Sequence, residues 1–168
     1  MSLRLLALCA VVATGWVLPA MAEARVPLAD AARRAQVVAV VMMSDPGVDQ
    51  VTLPGTGNGV AAFVRHRFRV VVVQVLHATH AAPPLGQVLL VDQHGWRSDL
   101  AEHLRCRGKD CRWPEKPQLD TQLSREPRPG QRALALLDRT DDGWQLALEL
   151  GFDRPERAAE LARKRGAR

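Results

Sequence analysis

His94, His103, Cys106 and Cys111 fall within 18 residues as H-x8-H-x2-C-x4-C. Imidazole nitrogen and thiolate sulfur are zinc ligands, so this cluster could hold a metal ion. In an oxidising compartment the two cysteines would instead be joined. An even count there favours a Cys106–Cys111 disulfide, and the metal site is the alternative reading. A bridge closing so short a loop contributes only about 2 kcal/mol by loop entropy. It would pin a local loop and would not hold the whole fold together.

Arg65, Arg67 and Arg69 form a second pattern, i, i+2, i+4 on an extended segment. That spacing aligns three guanidinium groups on one strand face, suited to a phosphate, an acidic polysaccharide or a carboxylate. The simpler reading is a solvated face whose charges oppose aggregation. Trp96 and Trp113 flank the cysteine loop and are further candidates for contacting a partner.

Nucleophilic catalysis finds little support. The serines after the leader are Ser44, Ser98 and Ser124, and none sits in G-x-S-x-G. H-E-x-x-H and G-x-x-x-x-G-K-[ST] are absent as well. Gly55-Thr56-Gly57-Asn58-Gly59 lacks the lysine and helix of a phosphate-binding loop. Asp92 with His94 at a strand end is the one acid–base arrangement of interest. His77 and His80 point to opposite faces of an extended chain unless a turn at Ala78-Thr79 joins them. The expectation is a protein without catalysis and without a cofactor.

Elements must place these residues. Pro27 to Arg34 reads as a short helix with proline near its start. Gln36 to Met43 is continuously apolar and β-branched, as a buried strand is. Ser44-Asp45-Pro46-Gly47 signals a turn, and Val48 to Leu53 a short edge strand. Val60 to His77 is the best strand, with Val64, Phe68, Val70, Val72 and Leu76 on one face. Its other face begins with the three arginines and continues as Val71, Val73 and Val75, so its second half reads as buried on both sides. Gln87 to Asp92 is a further strand. Ser98 to Arg105 reads as a helix with Ser98 as N-cap and Leu100 and Leu104 on one face.

Arg107 to Pro129 is a polar, proline-rich connection. Gln131 to Arg139 and Trp144 to Leu150 form a hairpin around Asp141-Asp142-Gly143. Asp153 and Glu156 have the spacing of a capping box. A helix from Arg154 to about residue 165 follows, with a basic end that suits a helix C-terminus.

Residues 1–24 read as a signal peptide, cleaved after Ala22 or Ala24. Arg4 is its positive region, Leu5 to Leu18 its apolar run, and A-M-A and A-E-A its cleavage sites. Residues 25–168 then form one domain. The longest later apolar run, Val37 to Met43, is seven residues, far short of the roughly 20 needed to span a bilayer. The expected location is periplasmic or secreted. The chain has 168 residues, 47% hydrophobic and 24% charged, which excludes collagen-like, coiled-coil and wholly disordered chains. Its net charge is +5, but Arg outnumbers Lys 20 to 3, with no Ile or Tyr and one Asn, as in a GC-rich genome. Basicity is thus weak evidence for nucleic acid, and export removes cellular nucleic acid as a partner.

Strands in succession with few helices favour an antiparallel barrel of five to six strands over a doubly wound sheet. A helix leads into the apolar strand Ala35 to Met43. A long strand ends in V-x-V-L (Val73 to Leu76), a cysteine loop follows, and a hairpin with Trp144 precedes a terminal helix. This order resembles the netrin-like, tissue-inhibitor-of-metalloproteinase-like branch of the OB-fold over roughly residues 27–165. Inhibitors of that family act through an N-terminal cysteine. None lies near Arg25, so the resemblance implies a fold and not inhibition. The expected function is an exported, non-catalytic binding or interaction module that docks a protein or an anionic envelope component. A metal-binding protein or hydrolase using His94, His103, Cys106 and Cys111 is one alternative. An accessory subunit of an envelope machine, docked by its basic C-terminal helix, is the other.

Overall fold

Val37 to Met43 and Ala133 to Leu137 are apolar without polar alternation, so both faces of each need cover. A computed structural model, which describes residues 25–53, 62–107 and 110–166, places both runs in strands at the centre of the molecule. The elements in chain order are β1 (Arg25–Val26), α1 (Leu28–Arg34), β2 (Val37–Leu53), β3 (Phe63–Ala78) and β4 (Val88–Asp92). Then come α2 (Trp96–Arg105), β5 (Gln118–Leu119), β6 (Arg132–Thr140), β7 (Gly143–Leu146), β8 (Phe152–Asp153) and α3 (Arg157–Gly166). The described chain is therefore mainly β.

The main sheet runs β2-β3-β4-β7-β6-β8, and a further β2–β6 pairing closes its first five strands into a ring. Closure leaves those strands with few unpaired edges. Inside the ring, Val37, Ala39, Val41 and Met43 of β2 meet Ala133, Ala135 and Leu137 of β6. Val38, Leu134 and Leu136 face outward, where Leu28, Ala31 and Ala32 of α1 and Leu161 of α3 cover them. Both apolar runs thus separate two cores. Each buried Leu or Val contributes about 1.5–3 kcal/mol relative to exposure.

Several details depart from the sequence reading, each for a local reason. Residues 48–53 are no separate edge strand. They continue β2, pairing with Phe63 to Phe68 after a register shift between Met43 and Val48. The Asp45-Pro46-Gly47 segment is absorbed as extra residues in one strand and does not reverse the chain. The second half of β3 is only half-buried at Val71, Val73 and Val75. Its alternation is broken by shifts opposite Val38/Ala39 and Val40/Val41, which bring Val75 to the inner core and Leu76 to the outer one. The sheet is not wholly antiparallel, because β4 and β7 pair in parallel. β7 stops at Leu146 instead of reaching Leu150. Leu150 takes a left-handed backbone (φ 56°) that turns the chain into β8.

The helices also shift. α2 begins at Trp96 after Gly95, and the Ser98 hydroxyl donates to the Gly95 carbonyl (2.6 Å) instead of capping the helix. Its buried residues are Asp99 and His103, not a leucine face, and Leu104 is exposed. α3 begins at Arg157, three residues late. Asp153 accepts N–H groups from Arg154 (2.8 Å) and Gln122 (3.0 Å), which ties the 120–122 segment to the helix entry. The leader of residues 1–24, the Pro54 to Gly59 loop, the expected strand start at Val60 and residues 167–168 lie outside the described residues. No helix among the described residues is long and apolar enough to cross a membrane.

Candidate functional site

The arginine strand face is tied to β4. Arg67 pairs in register with Asp92, which brings a buried carboxylate under the arginine row. Arg65 binds Asp92 through both oxygens, with Nε donating to Oδ1 at 2.7 Å and Nη2 to Oδ2. Arg67 Nε lies 3.3 Å from the same Oδ1. The Trp96 ring then covers Arg65, whose guanidinium carbon is 3.7 Å from the ring centroid. A bidentate, stacked arginine is held in place and not free to swing toward a ligand. Arg69 stands half-buried opposite Leu90. Arg65 and Arg67 are thus engaged by Asp92, and Trp96 stacks on Arg65.

The cysteine loop resolves in favour of the disulfide. Cys106 and Cys111 are bonded, with Cα atoms 5.3 Å apart. A disulfide offers no thiolate to a metal or a substrate. Among the described residues, no three His, Cys, Asp or Glu side chains are placed to share a metal ion. His103 points into the protein, its ring 5.5 Å from Phe63 and roughly parallel to Trp113 at 6.4 Å. Trp113 itself is 52% exposed. Glu102 holds the loop to α2. It accepts from Arg105 Nε and Nη2 (both 2.7 Å) and from the Arg112 backbone N–H (3.0 Å). The hydrogen bonds from Arg105 hold the Glu102 carboxyl below its ordinary range. Desolvation opposes that shift, and the Arg112 N–H reinforces it.

Asp92 and His94 have different partners. Asp92 serves the arginines, whereas His94 Nδ1 lies 3.0 Å from the Leu146 carbonyl oxygen. His77 and His80 likewise lie apart in burial, the first half-buried and the second exposed. His80 lines a shallow space with Arg139, Asp141 and Trp144.

A cleft of about 440 Å³ opens at the other end of the ring. Its apolar floor is Phe68, Leu146 and Phe152, with the two phenyl rings edge to face at 5.1 Å. His66 and His94 stand on one side. The Thr121 to Glu126 segment and the Glu149-Leu150 turn supply the rest of the wall. A floor of this kind with a few polar groups is the usual make-up of a small-molecule site, and the mouth of a strand ring is a usual place for one.

His66, Gln93 and His94 are held by hydrogen bonds. The Gln93 side chain accepts the His66 backbone N–H (3.0 Å), and the Gln93 N–H donates to the His66 carbonyl (3.1 Å). Gln93 is held in turn by Asp99 (3.3 Å), which also binds Lys116. Lys116 Nζ donates to the His94 carbonyl at 3.2 Å. Gly95 is required here, because its φ is +65° and a Cβ would lie 3.1 Å from the Lys116 side chain. A carbonyl only accepts, so neutral His94 carries its proton on Nδ1 and leaves Nε2 as an acceptor.

The sequence reading passed over His66, Gln93, Glu126 and Glu149. His66 carried a signal. It sits between Val64 and Phe68 on the strand face that otherwise reads apolar, and a polar residue on a core face asks for a role. The loop and turn residues carried none, because their placement depends on tertiary contacts.

The chain matches no protein-family model, no curated protein and no solved structure. Function must therefore be argued from the cleft itself.

Proposed function

We propose that the protein is an exported, non-catalytic binding module of the bacterial envelope, an OB-like barrel of netrin-like type that holds a small ligand in the His66/His94 cleft. The cleft carries this reading: an apolar floor at the end of a strand ring, with imidazoles and carboxylates around it. The arginine row is the weaker surface, because Asp92 and Trp96 occupy Arg65. Binding without catalysis fits a disulfide that leaves no thiolate and an Asp92 committed to two arginines. Export fits the leader composition and the disulfide. The apolar face of α3 is used within the fold, where Leu161 covers Leu134 and Leu136.

The test is ligand-observed and protein-observed NMR with a panel of small amphiphiles. Binding should shift the His66, His94 and Leu146 side-chain signals together. Leu123→Trp, which fills the cleft from its wall, should abolish those shifts while the protein stays folded. Binders whose shifts cluster elsewhere, at Trp113 for example, would refute the cleft reading.

A further inference from the structure

We infer that the cleft selects molecules bearing a protonated amino group on an apolar body; this rests on the cleft being the ligand site. Three observations converge. The first is charge. The chain as a whole is basic, with a net charge of +5. The cleft lining is not. Its ionised groups at neutral pH are Arg125 against Glu126 and Glu149, one positive and two negative, or −1 with the histidines neutral. The second is the direction of the hydrogen-bonding groups. His94 Nδ1 faces the Leu146 carbonyl, so the neutral ring donates there and carries its lone pair on Nε2. Two carboxylates and an imidazole lone pair are acceptors, and an ammonium group is three donors and no acceptor. A carboxylate ligand would find one cation and two like charges. The third is the floor of Phe68, Leu146 and Phe152, which takes an alkyl or aryl body and gives nothing to a small hydrated ion.

A metal cation fits the lining less well than an organic one. No three candidate ligands among the described residues are placed to share an ion. Behind the wall, Lys116 is neutralised by Asp99 and contributes no net charge toward the cleft.

Three probes with one tail separate the terms: hexylammonium, hexanoate and hexanol. Each is titrated into the whole chain at neutral pH and followed by the His94 and Leu146 NMR signals. Hexylammonium should bind about tenfold tighter than hexanoate, the order expected of one net charge in a partly hydrated site. The Glu126→Gln/Glu149→Gln variant leaves Arg125 as the lining's charge and should reverse that preference while hexanol binds it unchanged, a readout that unfolding would not reproduce. Equal or tighter binding of hexanoate would overturn the amine selection and leave the cleft standing as a ligand site. No binding of any tail at His94 and Leu146 would remove the ligand site and this inference together.

Discussion

Arg65 grips Asp92 with two of its nitrogens while the Trp96 ring lies over its guanidinium at 3.7 Å. The pair joins β3 to β4, and its stacking partner anchors the start of α2 to the same strand. One contact thus positions three elements at the end of the ring where the cleft opens.

Asp92 is buried and serves Arg65 and Arg67 together. Asp92→Asn leaves two guanidinium groups without their anion, so the cost should be about 3 kcal/mol, as for other broken buried pairs. Urea unfolding measures it. Arg65→Met with Asp92→Leu should recover part of that loss, because only the half-buried Arg67 is then left without its anion. A single-mutant cost under about 1 kcal/mol would mean the pair behaves as an exposed one.

Asp153 is fully buried and binds the Arg157 guanidinium at 2.6 Å as well as two backbone N–H groups. Arg157 also donates to the Asp120 carbonyl (3.1 Å). Asp153→Ala should therefore release α3 and the 120–122 segment together, at a cost of about 3 kcal/mol or more. Hydrogen exchange should show the amides of Ala158 to Leu161 and of Gln122 and Leu123 losing protection in step. Loss in the helix alone would show that the two segments are not coupled through this carboxylate.

These two carboxylates show what the sequence exposes and what it hides. Asp153 is visible as a helix-entry residue from its D-x-x-E spacing, yet the spacing suggests a capping box and not a buried tie to a distant segment. Strand positions are legible where burial on both faces forces a continuous apolar run, as at Val37 to Met43. The row of Arg65, Arg67 and Arg69 reads as a wet face because alternation cannot show that β4 brings Asp92 opposite Arg67. The same limit hides most of the cleft. His66 is detectable as a polar residue on an apolar face, but Glu126 and Glu149 join it only through long-range packing. The α2 leucines mislead because Lys116 and Phe63, both remote in sequence, make Asp99 and His103 the buried face.

Glu102 titrates below the ordinary glutamate range, chiefly because Arg105 hydrogen-bonds both its oxygens. A carboxyl depressed in the folded state contributes stability above its unfolded pKa, and that contribution is lost as pH falls through the folded value. NMR titration should place the Glu102 midpoint below that of exposed glutamates. Arg105→Ala should move it up and remove the depression, because desolvation then outweighs the Arg112 N–H. An unchanged midpoint in Arg105→Ala would assign the shift to another cause.

The Cys106–Cys111 bridge spans a short loop that Glu102 already fastens to α2. Cys106→Ser with Cys111→Ser should cost about 2 kcal/mol, and the fold should survive. Intact mass under non-reducing conditions should fall two hydrogens below the reduced chain. Zinc retained by the reduced protein at that position would contradict the finding that no three candidate ligands among the described residues are placed to share an ion.

Leu150 and Gly151 make opposite demands on the turn that closes the cleft. Leu150 is 49% exposed and left-handed, so its side chain pays a conformational penalty and returns little burial. Asparagine tolerates that backbone, and Leu150→Asn should raise stability by about 0.5 kcal/mol. A Cβ on Gly151 would lie 2.9 Å from the Leu148 carbonyl oxygen and 3.1 Å from Leu146 Cβ. Backbone cannot step aside cheaply, and the Gly151 carbonyl accepts the Leu136 N–H (3.1 Å). Gly151→Ala should therefore cost about 1–3 kcal/mol, as overpacked sites do. It should also displace Leu146, and so weaken any ligand held on the cleft floor. Denaturant midpoints for the two variants should move in opposite directions. Movement in the same direction would show that strain at Leu150 and crowding at Gly151 are not separate features of the turn.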